Sequence, residues 1–380
     1  MAAGVPRRRE GGVAAIIYNL GRELENLGHR VSYVFYEDLL SPVEAVGRFR
    51  DLRFAIRLAQ HVRMNKELFD AVNLHAPTGF VYGVIRKLTP SNGLPPYVMT
   101  LHGLEERRLH AMKREAKKGR AWNFSWKNRI WHRVYHRPRF FFSIKYADLT
   151  HCYSRDVSTL LQLKYDLDAG KVAYIPNGVE ERFFIHREYR KTEDIRLLYA
   201  GTWLDQRGIF YLRDAVSRLA AKQFRWTLTI AGSGVSENAL QAFFSDQVHD
   251  RILVRPTVAA EQMPALYSEH DIFVFPSLME GLPSVVLEAM ASGMPVITTE
   301  TCGMTDVIED GVNGLLIPPA DALAIENAVA SLCNSPELRQ RLGRAAQESM
   351  RRFTWNRSAR KLERLFISAL QNRNAAESVR

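Results

Sequence analysis

The 380-residue sequence has no apolar run approaching the ~18 residues that a membrane-spanning helix needs, so an integral membrane protein is not expected. Its three cysteines, Cys152, Cys302 and Cys333, are scattered and show no C-x-x-C spacing. Such a set argues against a disulfide framework or a zinc site and for a reducing compartment. The opening MAAGVPRRRE places no apolar stretch after its charges and does not read as a signal peptide. Solenoid-type repeats and low-complexity tracts are missing as well. One long stretch is almost without acids: thirteen Lys and Arg residues, the first Arg107 and the last Lys145, stand against Glu115 alone, a net +12. The whole chain carries +11, so the remainder is close to neutral and the basicity is a local patch, a signal for a partner.

What is present is an ordinary globular composition, 46% hydrophobic and 24% charged, on a chain long enough for two or three domains. A soluble, cytoplasmic protein is the expectation.

Val13, Ile16, Ile17, Leu20, Leu24 and Leu27 recur at three- and four-residue steps, predicting a helix that Gly28 ends. Gly11 and Gly12 precede it, either leaving its amides open to a phosphate or sugar or forming a simple flexible turn. Residues 30–35 read as a strand, followed by strands at 71–74, 97–101, 149–152 and 172–175. Each is short and apolar with helical or polar sequence between, the pattern of a parallel sheet covered on both faces. A polar stretch at 185–194 reads as a linker. The pattern restarts with strands at 197–200, 226–230, 252–254, 272–275 and 296–298, and turns helical after Pro336 with a break near 353–355. Two such halves facing one another would form a cleft, with ligands at the carboxyl ends of the strands.

The densest chemistry lies in Glu280-Gly-Leu-Pro-Ser-Val-Val-Leu-Glu288-Ala-Met-Ala-Ser-Gly-Met-Pro295. Pro283 suits a helix start, Gly293 its stop, and Pro295 forbids continuation. The helix between is apolar nearly all round, yet Glu288 sits in its middle, where a carboxylate needs a partner or a polar cavity. Glu280 lies just ahead of the same helix. Two carboxylates beside a positive helix end can hold sugar hydroxyls and a phosphate together. The bland alternative makes Glu280 a surface acid and pairs Glu288 with a buried Arg.

This Glu-x7-Glu followed by Ala-Met-Ala-Ser-Gly-Met-Pro-Val resembles the signature of the retaining nucleotide-sugar glycosyltransferases of family four. Further elements are similar to that family's in order along most of the chain: Gly11-Gly12, Gly28-His29, Thr100-Leu-His102-Gly103, Ile175-Pro-Asn-Gly-Val179, Ala231-Gly-Ser-Gly234, Gly303-Met-Thr-Asp306 and residues 311–318. The resemblance implies the α/β GT-B fold: an acceptor-binding Rossmann-like domain at 1–188, a donor-binding one at 189–355, and a helix at 356–380 crossing back to the first. It implies that Glu280 contacts the transferred sugar, Glu288 the ribose, and the backbone around Gly281, Leu282 and Ser284 the diphosphate. His102 would reach the sugar, and Gly11, Gly12, Gly201 and Thr202 would line the donor. His102, Glu280 and Arg207 would be the catalytic set, without a metal or other cofactor, in a front-face substitution at the anomeric carbon.

Departures from the family pattern bear on that implication. The segment Gly201-Thr-Trp-Leu-Asp-Gln-Arg207-Gly208 has Arg207 where a lysine is usual and Thr202 where an arginine is usual, so either another residue supplies the second cation or diphosphate binding is weaker. Pro283 removes a backbone donor. Asp306 stands where glutamate is common. Residues 1–10 contain no apolar strand, so the first strand of the sheet is truncated, lost or improvised. The one D-x-D, Asp166-Leu-Asp168, reads as a solvated turn.

In the basic stretch, Trp122, Phe124, Trp126, Trp131, Tyr135 and Phe140-Phe-Phe142 are interleaved with the cations. That mixture suits an anionic membrane surface, and the family's lipid-linked acceptors favour it; single-stranded nucleic acid or a plain solvated helix are the alternatives. The leading expectation is a retaining, metal-independent hexosyltransferase, with a UDP-sugar favoured over a GDP-sugar as donor and a glycan or lipid-linked acceptor, in polysaccharide or cell-envelope assembly. An epimerase or a nucleotide-sugar binder on the same architecture is the second. A dinucleotide oxidoreductase ranks lower, because the third glycine of G-x-G-x-x-G is replaced by Glu237, and a nucleic-acid-binding protein ranks last.

Overall fold

The computed structural model describes residues 1–7, 12–89, 93–103, 105–120, 125–190 and 194–378. The chain forms two compact units: Met1–Glu105 with Asn123–Asn177 and Trp355–Arg380, and Glu106–Trp122 with Gly178–Thr354.

The first unit carries four parallel strands in sequence order, β1 (Val72–His75), β2 (Tyr97–Leu101), β3 (Leu149–Cys152) and β4 (Val172–Tyr174). The first three are buried along their whole length, which is why they read as runs and not as alternation. Helix Gly12–Asn26 buries Ile16, Ile17, Leu20 and Leu24 on one face. Beyond it Gly28, at φ +97°, turns the chain in a region closed to most side chains. Residues 30–35 do not form the strand read from their sequence; Val34 alone makes an isolated bridge, to Ala2. Among the described residues its backbone pairs only with residues 1–3, which lie between it and β1: the Ala2 amide donates to the Asn73 carbonyl at 2.8 Å and the His75 amide to the Ala2 carbonyl at 3.0 Å. On the other side Ala3 donates to Val34 at 3.2 Å, and Val34 to Met1 at 3.0 Å. Ala2 and Ala3 are buried, and a segment this short and small shows no periodicity in the sequence.

The helix Trp355–Ser378 packs along Gly12–Asn26. It is pinned by Ser358 Oγ donating to the Pro176 carbonyl at 2.7 Å and by a 2.8 Å contact between His29 Nε2 and Glu363 Oε1.

The second unit holds six parallel strands: β5 (Asp194–Ala200), β6 (Arg225–Ala231), β7 (Ile252–Arg255), β8 (Ile272–Phe275), β9 (Val296–Thr299) and β10 (Leu315–Ile317). Their spatial order is β10-β9-β8-β5-β6-β7. From β5 the chain moves outward through β6 and β7, then returns to lay β8 on the other side of β5. That reversal is the switch point at which open parallel sheets leave a crevice at the strands' carboxyl ends. The three-residue β10 went unread in the sequence because a run that short carries no period.

Residues 185–190, polar enough to read as a linker, are fixed to this unit. The Arg187 guanidinium donates to the carbonyls of Ser292 at 2.8 Å, His270 at 2.7 Å and Tyr267, and Tyr189 Oη donates to Gly293 at 2.9 Å. These carbonyls close two helices, where a cation is favoured. Burial nevertheless draws the Arg187 pKa down to about 10.

The basic stretch is divided between the two units. Helix Glu105–Lys117 belongs almost wholly to the second unit, where buried Glu115 accepts from the Tyr211 hydroxyl at 2.7 Å. Lys118 donates to the same hydroxyl at 2.8 Å, and Arg120 pairs with Asp214 at 2.9 Å. The stretch from Trp126 onward lies in the first unit.

Candidate active site

At the switch point, the loops after β5 and β8 are tied to each other. Gln206 presents its carbonyl to the Leu278 amide at 2.8 Å and to Ser277 Oγ at 3.1 Å. Gly208, at φ +74°, makes this approach feasible, since a Cβ there would lie 2.0 Å from the Pro276 carbonyl oxygen. Gly303 plays the same part on the far side of the β8 loop: its amide donates to the Gly281 carbonyl at 2.8 Å, and a Cβ would meet that oxygen at 2.1 Å. The β5, β8 and β9 loops therefore form one braced rim, and glycine is required at both close approaches.

Within this rim Arg207 forms an ion pair with Glu280, and its guanidinium lies 5.2 Å from the centre of the Phe275 ring. Both side chains are largely buried, with 19% and 16% of their surface exposed. The Arg207 Nε is buried and has no acceptor among the described residues. Burial raises the Glu280 pKa, and the Arg207 charge opposes that rise without cancelling it. Gly201, at φ +137°, donates its amide to the Ala231 carbonyl at 2.9 Å. Thr202 has an exposed side chain, and its carbonyl accepts from Tyr199 Oη at 3.0 Å.

Leu282 is buried and leads through Pro283 into helix Ser284–Ala291, whose first amides precede the helical hydrogen bonds and lack helical acceptors. Ser284 and Glu288, four residues apart, share a face of that helix. Glu288 is enclosed by protein but keeps some exposed surface. Desolvation pushes its pKa up to about 7, against the hydrogen bond it receives from Tyr267 Oη at 2.9 Å. Glu180 adds to the rise and Arg182 opposes it. Its hydrogen-bond partner is a neutral phenol, and it is Glu280 that holds the arginine. Neither Tyr267 nor that pairing was read from the sequence; Tyr267 stands 21 residues upstream, with no motif to mark it.

The remaining sequence candidates lie in the first unit. Gly12 opens its helix at φ +63°, and Gly11 lies outside the described residues, as do Trp122 and Phe124 of the basic stretch. His102 follows β2, half-buried, with Nε2 2.7 Å from His75 Nδ1. Burial lowers its pKa to about 3, so the ring is neutral at physiological pH and offers hydrogen-bonding atoms, not a positive charge. Asp166, at φ +51°, caps helix Arg155–Tyr165. Among the described residues no group of three or more His, Cys, Asp and Glu side chains is placed to hold a metal ion, and no helix is long and apolar enough to cross a membrane.

Comparison with known proteins gives these features a context. The family described as Glycosyltransferase Family 4 matches residues 10–183, and Glycosyl transferases group 1 matches residues 181–349. The chain belongs to glycosyltransferase family four and has the GT-B fold. An uncharacterised glycosyltransferase of Methanocaldococcus jannaschii is 24% identical over 91% of this chain and 92% of its own length. Among solved structures, sucrose-phosphate synthase of Thermosynechococcus elongatus superimposes with a TM-score of 0.76 at 18% identity, covering 98% of this chain and 99% of that one. The Anabaena protein HepE, solved in complex with UDP, gives 0.68 at 16% identity, covering 97% and 99%.

Proposed function

We propose that the protein transfers a sugar, with retention of anomeric configuration, from a nucleoside diphosphate donor to a glycan or lipid-linked acceptor in polysaccharide or cell-envelope assembly. The observation that carries this reading is the braced rim at the switch point, which holds the Arg207–Glu280 pair just ahead of helix Ser284–Ala291, with Glu288 one turn further along that helix. A vicinal diol donates to a carboxylate such as Glu288, and the transferred sugar's hydroxyls to Glu280. As the nucleoside diphosphate leaves, negative charge grows on its β-phosphate; Arg207 and the helix amides stabilise it, so no metal is needed. Gly201 and Thr202 border the donor, and Gly11, Gly12 and His102 keep the roles that the resemblance to the family implies. The UDP bound by HepE supports a UDP-sugar over a GDP-sugar as donor.

A thermal-shift panel of UDP, GDP, ADP, CMP and their common sugar conjugates, with and without EDTA, tests this directly. Ligand at a hundred times its dissociation constant stabilises by ~2.7 kcal/mol. One nucleoside diphosphate that stabilises regardless of EDTA supports the reading; stabilisation by none refutes it. Glu280 already compensates the Arg207 charge and Thr202 supplies no second cation, which favours as the alternative a binder that does not turn over. Analysis of products after incubation with the stabilising donor separates the two.

The acceptor's setting comes from the first unit. Helices Trp126–Trp131 and Arg137–Lys145, joined by the wider turn His132–His136, expose Trp126 at 66%, Ile130 at 54% and Val134 at 70%. Lys127, Arg129, Arg133, Arg137 and Lys145 are exposed beside them. Aromatic and aliphatic side chains among cations suit an anionic bilayer surface, at about 1 kcal/mol per basic residue. Co-sedimentation with anionic vesicles that salt weakens is the expected result; equal binding to neutral vesicles, or none to either, removes the membrane.

A further inference from the structure

Beneath His102 the first sheet carries a hydrogen-bonded chain across three strands. Asn73 and His75 lie on β1, Thr100 on β2 and His151 on β3, each no more than 2% exposed. Backbone carbonyls can only accept, and that gives the chain a direction. His151 Nε2 lies 2.9 Å from the Ile175 carbonyl and must carry the hydrogen, leaving Nδ1 to accept from Thr100 Oγ1 at 3.3 Å. Asn73 Nδ2 donates to the Val98 carbonyl at 3.1 Å and to Thr100 Oγ1 at 2.8 Å, so two carbonyls independently fix which end of the amide is which. Asn73 Oδ1 is thereby turned to His75, whose Nε2 donates to it across 3.0 Å. A neutral His75 then has a bare Nδ1, and His102 Nε2 donates to it at 2.7 Å. Among the described residues, the lone pair left unused at the end of the chain is on His102 Nδ1.

Burial keeps all three rings neutral, with His75 pushed well below the usual histidine range, His102 to about 3 and His151 to about 4. The ring plane is held as well. His102 stacks on His75 at 5.0 Å and 20°, and Tyr153 lies 5.1 Å from it.

We propose that Asn73 and His75 are positioning residues that fix His102 as a hydrogen-bond acceptor at Nδ1, so that this ring selects a sugar hydroxyl over a carboxylate at the same place. A hydroxyl turns its hydrogen to the lone pair. A carboxylate sets lone pair against lone pair beside a ring that cannot take up a proton, which works as a repulsive filter. The choice of a sugar as the selected group rests on the transferase reading; the direction of the chain does not.

Full-length protein with 15N-labelled histidine at pH 7 provides the test, the His102 signals being assigned by their loss in His102→Gln. His102 in the Nε2–H form supports the proposal, and the Nδ1–H or doubly protonated form overturns it. Asn73→Asp replaces the donating end of the amide with a second acceptor and draws another proton onto His75. His75 Nδ1–H then faces His102 and turns it to the Nδ1–H form; an unchanged His102 tautomer in a folded variant overturns the relay. Should that variant not fold, the wild-type measurement still decides. UDP, UDP-glucose and UDP-glucuronate, the last carrying a carboxylate in place of the hydroxymethyl group of glucose, complete the set. UDP-glucose binding about tenfold tighter than UDP-glucuronate is expected. UDP binding with no such preference overturns the filter alone, whereas absence of UDP binding removes the UDP-donor reading and leaves the tautomer result standing.

Discussion

The two sheets bury titratable groups in different places and with different outcomes. In the first unit they sit inside the strands or one residue past them, as His75 and His151 do and as His102 does after β2; in the second, Glu280 and Glu288 lie in the loop and helix after β8. Burial disfavours the charged form in both. For the histidines that moves the pKa down, away from physiological pH, to about 3 for His102 and about 4 for His151. For Glu288 it moves the pKa up to about 7, onto physiological pH. The same physical cost makes one set of side chains inert to pH and leaves the other poised. A fixed polar scaffold and an adjustable carboxylate are thus both products of desolvation, separated by the sign of the charge being desolvated.

The strongest way to break this contrast is Arg207→Gln. It leaves Glu280 buried without its cation and removes the charge proposed to face the leaving phosphate. The turnover number should fall roughly a hundred- to a thousandfold, measured at saturating donor with the circular-dichroism spectrum unchanged. Gly208→Ala should come next. It places a Cβ against the Pro276 carbonyl in a backbone region foreign to alanine, costing about 2 kcal/mol or more in urea unfolding, with nucleotide binding lost alongside.

The pH dependence sharpens the contrast further. With the Glu288 pKa raised to about 7, the proposed ribose contact predicts that nucleotide affinity falls as pH drops from 8 to 6, since protonation removes the carboxylate acceptor. Glu288→Gln should bind more weakly throughout and flatten that profile in titration calorimetry; unchanged affinity would falsify the role of Glu288. Stability runs the other way. The folded-state pKa lies above the unfolded value, so the folded state retains a proton that the unfolded chain releases between pH 4.5 and about 7. Glu288's contribution to the unliganded protein is therefore largest at low pH and lost as pH rises through 7. The smallest expected effect belongs to Tyr267→Phe, about 1 kcal/mol, with the midpoint of the affinity profile moved upward because the hydrogen bond holding Glu288 down is gone.

Both sheets were largely legible in the sequence, since buried parallel strands announce themselves as apolar runs, and nine of the ten strands coincide with such runs. Residues 1–3 and 315–317 escaped because three residues carry no period, and residues 30–35 misled because a β-rich run forms a strand only beside a long enough partner. Glu280, Arg207 and Glu288 were visible as a motif, but who pairs with whom was not. The Arg207–Glu280 pair joins loops separated by more than seventy residues, and Tyr267 reaches Glu288 from a different helix. Asn73 and His75 were passed over as members of a strand, because a buried polar residue declares itself only when its partners on neighbouring strands are known.

The division of the chain has a consequence for how the protein can be made. Neither unit is contiguous: the chain passes from one to the other after Glu105, Trp122, Asn177 and Thr354. The half that leaves the ribosome first lacks the 24-residue helix that covers helix Gly12–Asn26 until residues 178–354 of the second unit have been made. A nascent chain halted after Asn177 should expose that uncovered apolar face to chaperones. A split at this point should yield two fragments that are each insoluble alone and recover a fold only when the last helix is supplied.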